Sequence, residues 1–428
     1  MKFFFLIFFL FTLSAQADVQ LIKKENSDSN TTLLVIGGIH GNEPGGYFAA
    51  SILASNYTIN SKNLWIVPNL NKESIRKNRR GINGDMNRKF SHIDKNDGDR
   101  KILEEIKKII LSKNVSLVLN LHDGHGFYRK ENQGSIFNPN AWGQTCVIDQ
   151  CNLKTSQAFG SLNDIAISVK NSINKKLLKQ HHSFDVKNTN TKYDDEAMQL
   201  SLTYFAVTNN KPAFAIETSK NLSTLTQKVF YQLLAIEEYM KIMGIEYQRD
   251  FNLNEKELEK IINNYGTLKI NKNILLNLCD IKKSLSYIPI KSEDNIFKFT
   301  HPLGDVKKIR DNYVISIGNK RITLLKPQYF KLAQNCSPNM EFIIDGKKRV
   351  ISNISGFNVN HSFKVIQKEG QRVNIIGYQP RKKIDESEIK ISLSNLNKNY
   401  SVDKENKIYR VEFYKNNDFC SMYMVHFK

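Results

Sequence analysis

The stretch "LLVIGGIHGNEPGG", residues 33–46, decides how the first half of the chain is read. An apolar run ends abruptly in five glycines, one histidine, one glutamate and one proline. That pattern reads as strand, turn, helix, with Pro44 suited to the first helical turn, where its missing N–H costs nothing. His40 and Glu43 then lie in a turn at the carboxyl end of a strand, where open α/β sheets gather their ligands. Gly37, Gly38 and Gly41 permit tight or left-handed backbone there. An imidazole and a carboxylate projected from one such turn can share a zinc ion. The same four residues taken alone describe an ordinary polar turn, so the decision rests on segments further along the chain.

Working outward, short apolar strands alternate with helical stretches up to about residue 244. Strands are expected at Thr32–Gly37, Leu64–Pro68, Val115–Leu121 and Ala213–Ile216. Ser223 to Gly244 reads as a helix, with Ser223 as N-cap, an apolar stripe from Leu225 to Ile236, and Gly244 to close it. Strands alternating with helices imply an α/β sheet covered on both faces. After residue 245 a short helical segment near Glu255–Asn264 leads into alternating runs. In "NYVISIGNKRITLL" (312–325) and "EFIIDGKKRVI" (341–351), Gly-Asn and Asp-Gly sit between β-rich flanks, and "IYRVEFYKNNDFCSMYMVHF" (408–427) again places two strands around a polar turn. This half is all-β, expected as two small domains divided near residues 330–340.

The first 17 residues read as a secretion signal: Lys2, the apolar stretch Phe3–Leu13, and the small-x-small site Ala15-Gln16-Ala17. The expected location is therefore the periplasm of a bacterium. A formal net charge of +20 on an exported protein argues against nucleic acid and towards an anionic wall polymer or lipid surface, although abundant Asn, Ile and Lys also fit an AT-rich genome. There are five cysteines, an odd number, and Cys146 and Cys151 are close enough to be expected as a disulfide.

Three further segments carry chemistry. In "LVLNLHDGHGF" (117–127), alternation puts Asn120 and His122 on one strand face, with His122 at the strand's end before an Asp123-Gly124 turn. His122 is placed where a third metal ligand is wanted. His125 competes for the role, but a rigid strand positions a ligand better than a glycine-flanked loop. In "RKNRRGINGDMNRKF" (76–90), Arg76, Arg79, Arg80 and Arg88 crowd together with Asn87 beside Arg88; this is a solvated basic loop or an anion-recognition loop, since guanidinium groups bind carboxylates bidentately. In "KPAFAIETSK" (211–220), a buried-strand candidate delivers Glu217 at its carboxyl end, where a carboxylate is costly unless it is paired or working.

Taken in order, "HGNE", "DMNRKF", "NLHDG" and "AIETS" resemble the signature of the funnelin-type zinc carboxypeptidases, with the D-x-N-R-x-F match the most specific part. The resemblance implies one Zn2+ per chain on His40, Glu43 and His122, Glu217 as catalytic carboxylate, Arg80 polarising the scissile carbonyl, and Asn87 with Arg88 holding the substrate's terminal carboxylate. The family's substrate-facing tyrosine has two candidates, Tyr193 and Tyr204. The interval from Glu43 to His122, 79 residues, is shorter than in digestive carboxypeptidases and closer to the branch that hydrolyses acyl-amino acids.

The whole plan resembles the peptidoglycan carboxypeptidases of curved and helical Gram-negative bacteria, in some of which Gln replaces the first zinc histidine. That resemblance implies a mixed-sheet α/β catalytic domain with helices on both faces over residues 18–244, then small all-β domains over 245–335 and 336–428. It also implies removal of meso-diaminopimelate from peptidoglycan muramyl tripeptide, leaving dipeptide and so controlling cell shape. Two rivals stay open: a zinc amidase or deacylase on another small acyl-amino acid, and a non-catalytic wall-binding protein. The β-rich half is open to binding glycan or a periplasmic protein partner, or to serving as scaffold.

Overall fold

The computed structural model describes residues 19–26, 29–153, 158–352, 354–379 and 384–428. The expected leader lies outside the described residues. Among them, no helix is long and apolar enough to cross a membrane.

The N-terminal half is built on a seven-stranded mixed sheet. Its strands are β1 (Ile22–Lys24), β2 (Thr32–Ile36), β3 (Asn63–Val67), β4 (Val115–Gly124), β5 (Thr145–Ile148), β6 (Asp185–Asn188) and β7 (Ala213–Ser219), in spatial order β1-β3-β2-β4-β7-β5-β6. β3, β2, β4 and β7 run parallel, whereas β1 pairs antiparallel with β3 and β5 antiparallel with β7. Every residue of β2, β3 and β5 is buried, which requires cover on both faces and explains why β2 and β3 read as near-continuous apolar runs.

The helices show how that cover is made. α1 (Pro44–Asn56) buries every residue from Gly45 to Leu53, and its small side chains let it lie close to the sheet. α2 (Lys72–Arg76) is a single short turn. α3 (Arg100–Ile110) buries only Leu103, Ile106 and Ile110, a stripe at helical spacing with lysines and glutamates on the solvent side. α4 (Leu162–Ile173) and α5 (Leu202–Thr208) lead to α6 (Leu225–Ile242), which is mostly buried. Gly244 follows it at φ +66°, as a C-terminal glycine should. The N-cap is Thr224, not Ser223: the Thr224 hydroxyl accepts from the Gln227 N–H, while Ser223 donates to the Gln227 side chain. The helix begins one residue later than its polar flank suggests.

The second half is β-rich. A three-stranded sheet orders Ile274–Asn277, Thr267–Ile270 and Phe297–Phe299; a four-stranded one orders Ser284–Ile290, Lys320–Tyr329, Asn312–Ile317 and Gly304–Ile309. The last hundred residues add a three-stranded and a four-stranded sheet around their own apolar cluster, centred on Phe342, Phe363, Phe413 and Tyr423. The hairpin turns have the expected chemistry. Asp345-Gly346 and Asn416-Asn417 hold both central residues at positive φ, the geometry whose twist matches paired strands.

Two expectations need correction. Cys146 and Cys151 are not bonded: Cys146 is buried within β5 against Tyr239, and Cys151 is exposed beyond the strand's end. The disulfide joins Cys336 to Cys420, 84 residues apart, so proximity in sequence was the wrong guide. Nor is Asp123-Gly124 a turn. β4 continues through both residues, paired in register with Thr218 and Ser219 of β7.

The halves meet beside the turn that carries His40 and Glu43. α2 packs under residues 37–43 so closely that a Cβ on Gly41 would sit 2.0 Å from the Ser74 carbonyl carbon. From its other side α2 is held by the β-rich half: Arg76 donates to Asp305 at 2.6 Å and Lys307 to Glu73 at 3.0 Å. Asn69, just before α2, donates to the Pro302 carbonyl.

Candidate active site

His40 and Glu43 occupy the turn between β2 and α1. Gly38, at φ +77°, allows the reversal, and the backbone there is tied to the neighbouring β3 turn through Leu70 N–H to Gly37 O and Asn71 N–H to Gly38 O. Glu43 stands at the helix N-cap with Pro44 behind it. His122 lies near the carboxyl end of β4 and Glu217 at the matching level of β7, directly opposite in the parallel register. Gln232 of α6 donates to the backbone carbonyls of His122 and Ile216, which fixes the two strand ends relative to each other.

The ligand atoms of His40, Glu43 and His122 lie within 4.8 Å of one another, and all three side chains are buried. Glu43 Oε2 is 2.9 Å from His122 Nδ1 and 3.1 Å from His40 Nδ1. On the far side of the ring, His40 Nε2 is 2.8 Å from Asp85 Oδ1. A carboxylate only accepts, so Asp85 takes the Nε2–H and leaves Nδ1 as the ring atom turned to the pocket. Two imidazole nitrogens, His40 Nδ1 and His122 Nδ1, thus converge on one Glu43 oxygen in a buried pocket, and this imidazole–carboxylate donor set suits zinc. Burial alone would raise Glu43, but the two imidazoles outweigh it and hold its carboxyl well below the usual range, so it offers a metal an anionic donor.

Asp85 is the centre of this arrangement, though the sequence reading assigned it no role. Besides orienting His40, it accepts from Arg80 Nε at 2.8 Å and from the Asn87 N–H at 2.9 Å. The signal was present in the D-x-N-R-x-F motif, but the carboxylate's target is 45 residues away and only the fold supplies it. A second unassigned carboxylate, Asp123, accepts from Gly45 N–H and Thr218 hydroxyl, so it satisfies the first turn of α1 from the neighbouring strand.

One cleft of about 200 Å3 is lined by His40, Glu43, Arg80, Asn87, Arg88, His122 and Glu217 together. Arg80 donates to Glu43 at 3.1 Å and to Asp85. Asn87 Oδ1 is committed to the Leu202 N–H, which leaves its amide N–H groups for the cleft. Arg88 donates to its neighbour's carbonyl and has no carboxylate partner among the described residues. Glu217 is half-buried at the cleft. Dense packing around its carboxyl, with Glu43 and Asp123 near, pushes its pKa well above the usual carboxylate range.

Not every candidate converges. Arg76 is turned away into its pairs with Glu73 and Asp305. Arg79 stays at the surface, so anion recognition narrows to Arg80 and Arg88. His125 is exposed at the rim and outside the metal triad. Neither Tyr193, 73% exposed, nor Tyr204 lines the cleft. Sequence reasoning did not find Trp142, Met198, Thr203 and Lys220, which complete the walls. Trp142 and Lys220 come from loop positions, Met198 from a short 3-10 turn and Thr203 from the first turn of α5, none of which carries a periodic signal that points to the cleft.

With this geometry in hand, comparisons with known proteins are decisive. Residues 1–263 match the family described as carboxypeptidase controlling helical cell shape, catalytic, and residues 333–428 match the C-terminal domain of metallo-carboxypeptidase. Among solved structures, the apo cell shape determinant protein Csd4 from Helicobacter pylori is 33% identical, with TM-score 0.89, covering 96% of this chain and 100% of that one. Its tripeptide-bound form gives 33% identity over the same coverage with TM-score 0.88. The mDAP-bound form, described as a D,L-carboxypeptidase, gives 34% over 95% of this chain and 100% of that one with TM-score 0.89. No curated protein matched. The match over nearly the whole length, on a fold that gathers a metallopeptidase-like constellation from four separate segments, places this chain in the family of metallocarboxypeptidases that control helical cell shape.

Proposed function

We propose that the chain binds one zinc ion through His40, Glu43 and His122 and removes the terminal meso-diaminopimelate from peptidoglycan muramyl tripeptide, leaving the dipeptide, in the periplasm. The observation that carries the reading is a single cleft holding three converging metal donors, a carboxyl with raised pKa and a guanidinium with no carboxylate partner among the described residues. A structural zinc site would close with four protein ligands and would need neither Glu217 nor Arg88. The tripeptide- and mDAP-bound forms of the Helicobacter pylori relative support the substrate class. Export is supported by the leader in the sequence and by the Cys336–Cys420 disulfide, a bond that persists in oxidising compartments.

When bound, the metal supplies Lewis-acid polarisation of a carbonyl and acidification of water. The chain's own residues do the rest. Glu217 accepts a proton from the attacking water and returns it to the leaving amine, work suited to a carboxyl whose pKa is raised above the usual carboxylate range. Arg88 and the Asn87 amide bind the carboxylate at the end of the substrate, so only the last residue is presented for cleavage. Arg80 places its guanidinium beside the metal group, where negative charge develops on the scissile oxygen.

Mass spectrometry of muramyl tri-, tetra- and pentapeptides after incubation with the protein tests this. Loss of one diaminopimelate from the tripeptide, abolished by chelator and restored by zinc, is expected. Release of an acyl group instead, or turnover indifferent to chelator, would overturn it.

A further inference from the structure

Residues 264–335 carry 13 basic side chains against 5 acidic ones, a net charge of +8 from one-sixth of the chain. The charge is not spread evenly. Lys269, Lys272, Lys291 and Lys298 converge on one cavity of about 230 Å3, whose remaining walls are Asn271, Ile296 and Leu332. None of the four ammonium groups has an ion-pair or hydrogen-bond partner among the described residues. Elsewhere the fold neutralises such lysines: Lys89 sits between Asp97 and Asp99, Lys307 on Glu73, and Lys364 on Glu388.

The geometry makes the crowding costly. Lys269 and Lys298 are direct cross-strand partners in the antiparallel pair of Thr267–Ile270 with Phe297–Phe299. Like charges placed opposite each other in a sheet destabilise it. The turn that presents Lys272 is strained as well, with Asn271 at φ +48° and Lys272 at φ +65°, both non-glycine residues in left-handed backbone. Asn271 is held there by bonds with the Asn295 side chain and the Ile296 N–H. The cavity adjoins a larger, shallow hollow of about 560 Å3, sharing Lys291 and Leu332 and adding Lys331, Tyr329, Phe330 and the Glu293-Asp294 turn. Lys272 and Lys298 are exposed and Lys269 and Lys291 half-buried, so the lysines line a shallow, accessible groove that an extended anionic chain can enter.

We propose that this groove is a second binding site, for the carboxylate-bearing stem peptides of the insoluble peptidoglycan polymer, sharing no residue with the catalytic cleft. The choice of polymer rests on the reading of the catalytic site as a peptidoglycan carboxypeptidase; the existence of an anion groove does not. The site would keep the enzyme on the wall between cleavages, with four fixed positive charges meeting repeated carboxylates.

The test uses the full chain with Lys269→Glu and Lys291→Glu together. Replacing Lys269 sets Glu against Lys298, so the melting temperature should hold or rise, which separates lost binding from lost fold. Co-sedimentation with purified insoluble peptidoglycan should weaken by about tenfold or more, as expected when a focused field is removed. Turnover of soluble muramyl tripeptide should stay at the wild-type value. Wild-type protein should pellet with carboxyl-amidated peptidoglycan as weakly as the variant does with the native polymer. Unchanged pelleting of the variant, equal binding to the amidated polymer, or a loss confined to anionic phospholipid vesicles would each overturn the proposal. If soluble tripeptide is not cleaved by the wild type, the catalytic reading fails while the pelleting comparison still decides the groove.

Discussion

Replacing Asp85 by asparagine exchanges one oxygen for an amide nitrogen and should cost most of the metal affinity. The substitution keeps the volume, and asparagine still caps the 86–88 turn through the Asn87 N–H, so local structure is retained. What is lost is the carboxylate that receives both His40 Nε2–H and Arg80 Nε–H, each at 2.8 Å. The cap and the imidazole share Oδ1, so an asparagine that keeps the cap keeps its oxygen on His40 as a neutral acceptor and turns its NH2 to Arg80. Arg80 is 44% exposed and its bond is screened, whereas His40 is 2% exposed, so the loss of the negative charge facing the buried imidazole sets the magnitude. Altering the partner of a metal-bound histidine costs roughly ten- to hundredfold in metal affinity. Competition of the purified variant against a chromogenic chelator measures the zinc affinity directly, with circular dichroism as the control for folding. A folded Asp85→Asn protein that holds zinc within about twofold of wild type would refute the role assigned to Asp85, since the expected loss is an order of magnitude or more.

Other outcomes rest on the same structure. Glu217→Gln should retain zinc by metal analysis yet lose turnover by about 10²-fold or more, because a proton acceptor is removed and no ligand is; full activity would sink the assignment. Arg88→Ala should lower kcat/KM by about ten- to hundredfold on free-acid substrates and erase the preference over C-terminally amidated ones. Asp149 is buried with Thr191 and Thr203 as partners, and burial pushes its carboxyl up to about 6, above the ordinary 3.8. The folded state therefore binds more protons than the unfolded one between those values, so this group's contribution falls as pH rises through that window, by up to about 3 kcal/mol. Asp149→Asn should accordingly raise the melting temperature at pH 7.5 and leave it unchanged at pH 4; equal shifts at both would contradict the assignment. Reducing Cys336–Cys420 opens an 84-residue loop and should cost at most about 4.5 kcal/mol on the chain-entropy estimate, read as a lower denaturation midpoint. In the native protein a thiol reagent should label Cys151 at once and Cys146 only on unfolding.

Much of the site was legible because its chemistry is written at strand ends. His40, His122 and Glu217 each follow an apolar run, and a parallel sheet brings the carboxyl ends of such runs to one edge. Local patterning also located the β-rich half, since two-residue turns with left-handed residues leave a compositional trace. What failed was information carried by distance in space. The disulfide partner of Cys336 is set by how the last strand lies beside residues 331–333, and nothing near Cys336 in sequence reports that. Residue type alone does not rank the four arginines of the basic loop; the family resemblance singles out Arg80 and Arg88, and only the position of Asp305, 229 residues away, shows where Arg76 goes instead. Asp85 and Asp123 escaped notice as working parts because each acts on a backbone or ring delivered by another element.

The short helix α2 acts as a shim. One face is wedged under the glycine turn that presents His40 and Glu43, and the other is braced by Asp305 and Lys307. Anyone trimming the enzyme to residues 1–263 would keep every metal donor, the base and both cleft arginines, yet would remove the brace. Arg76 and Glu73 would be left to pair with each other, and the wedge would be free to slide. Miniaturisation would then degrade ligand geometry without altering a single ligand, so a compact wall-editing tool made from this scaffold would have to carry the Gly304–Ile309 strand or a substitute for it.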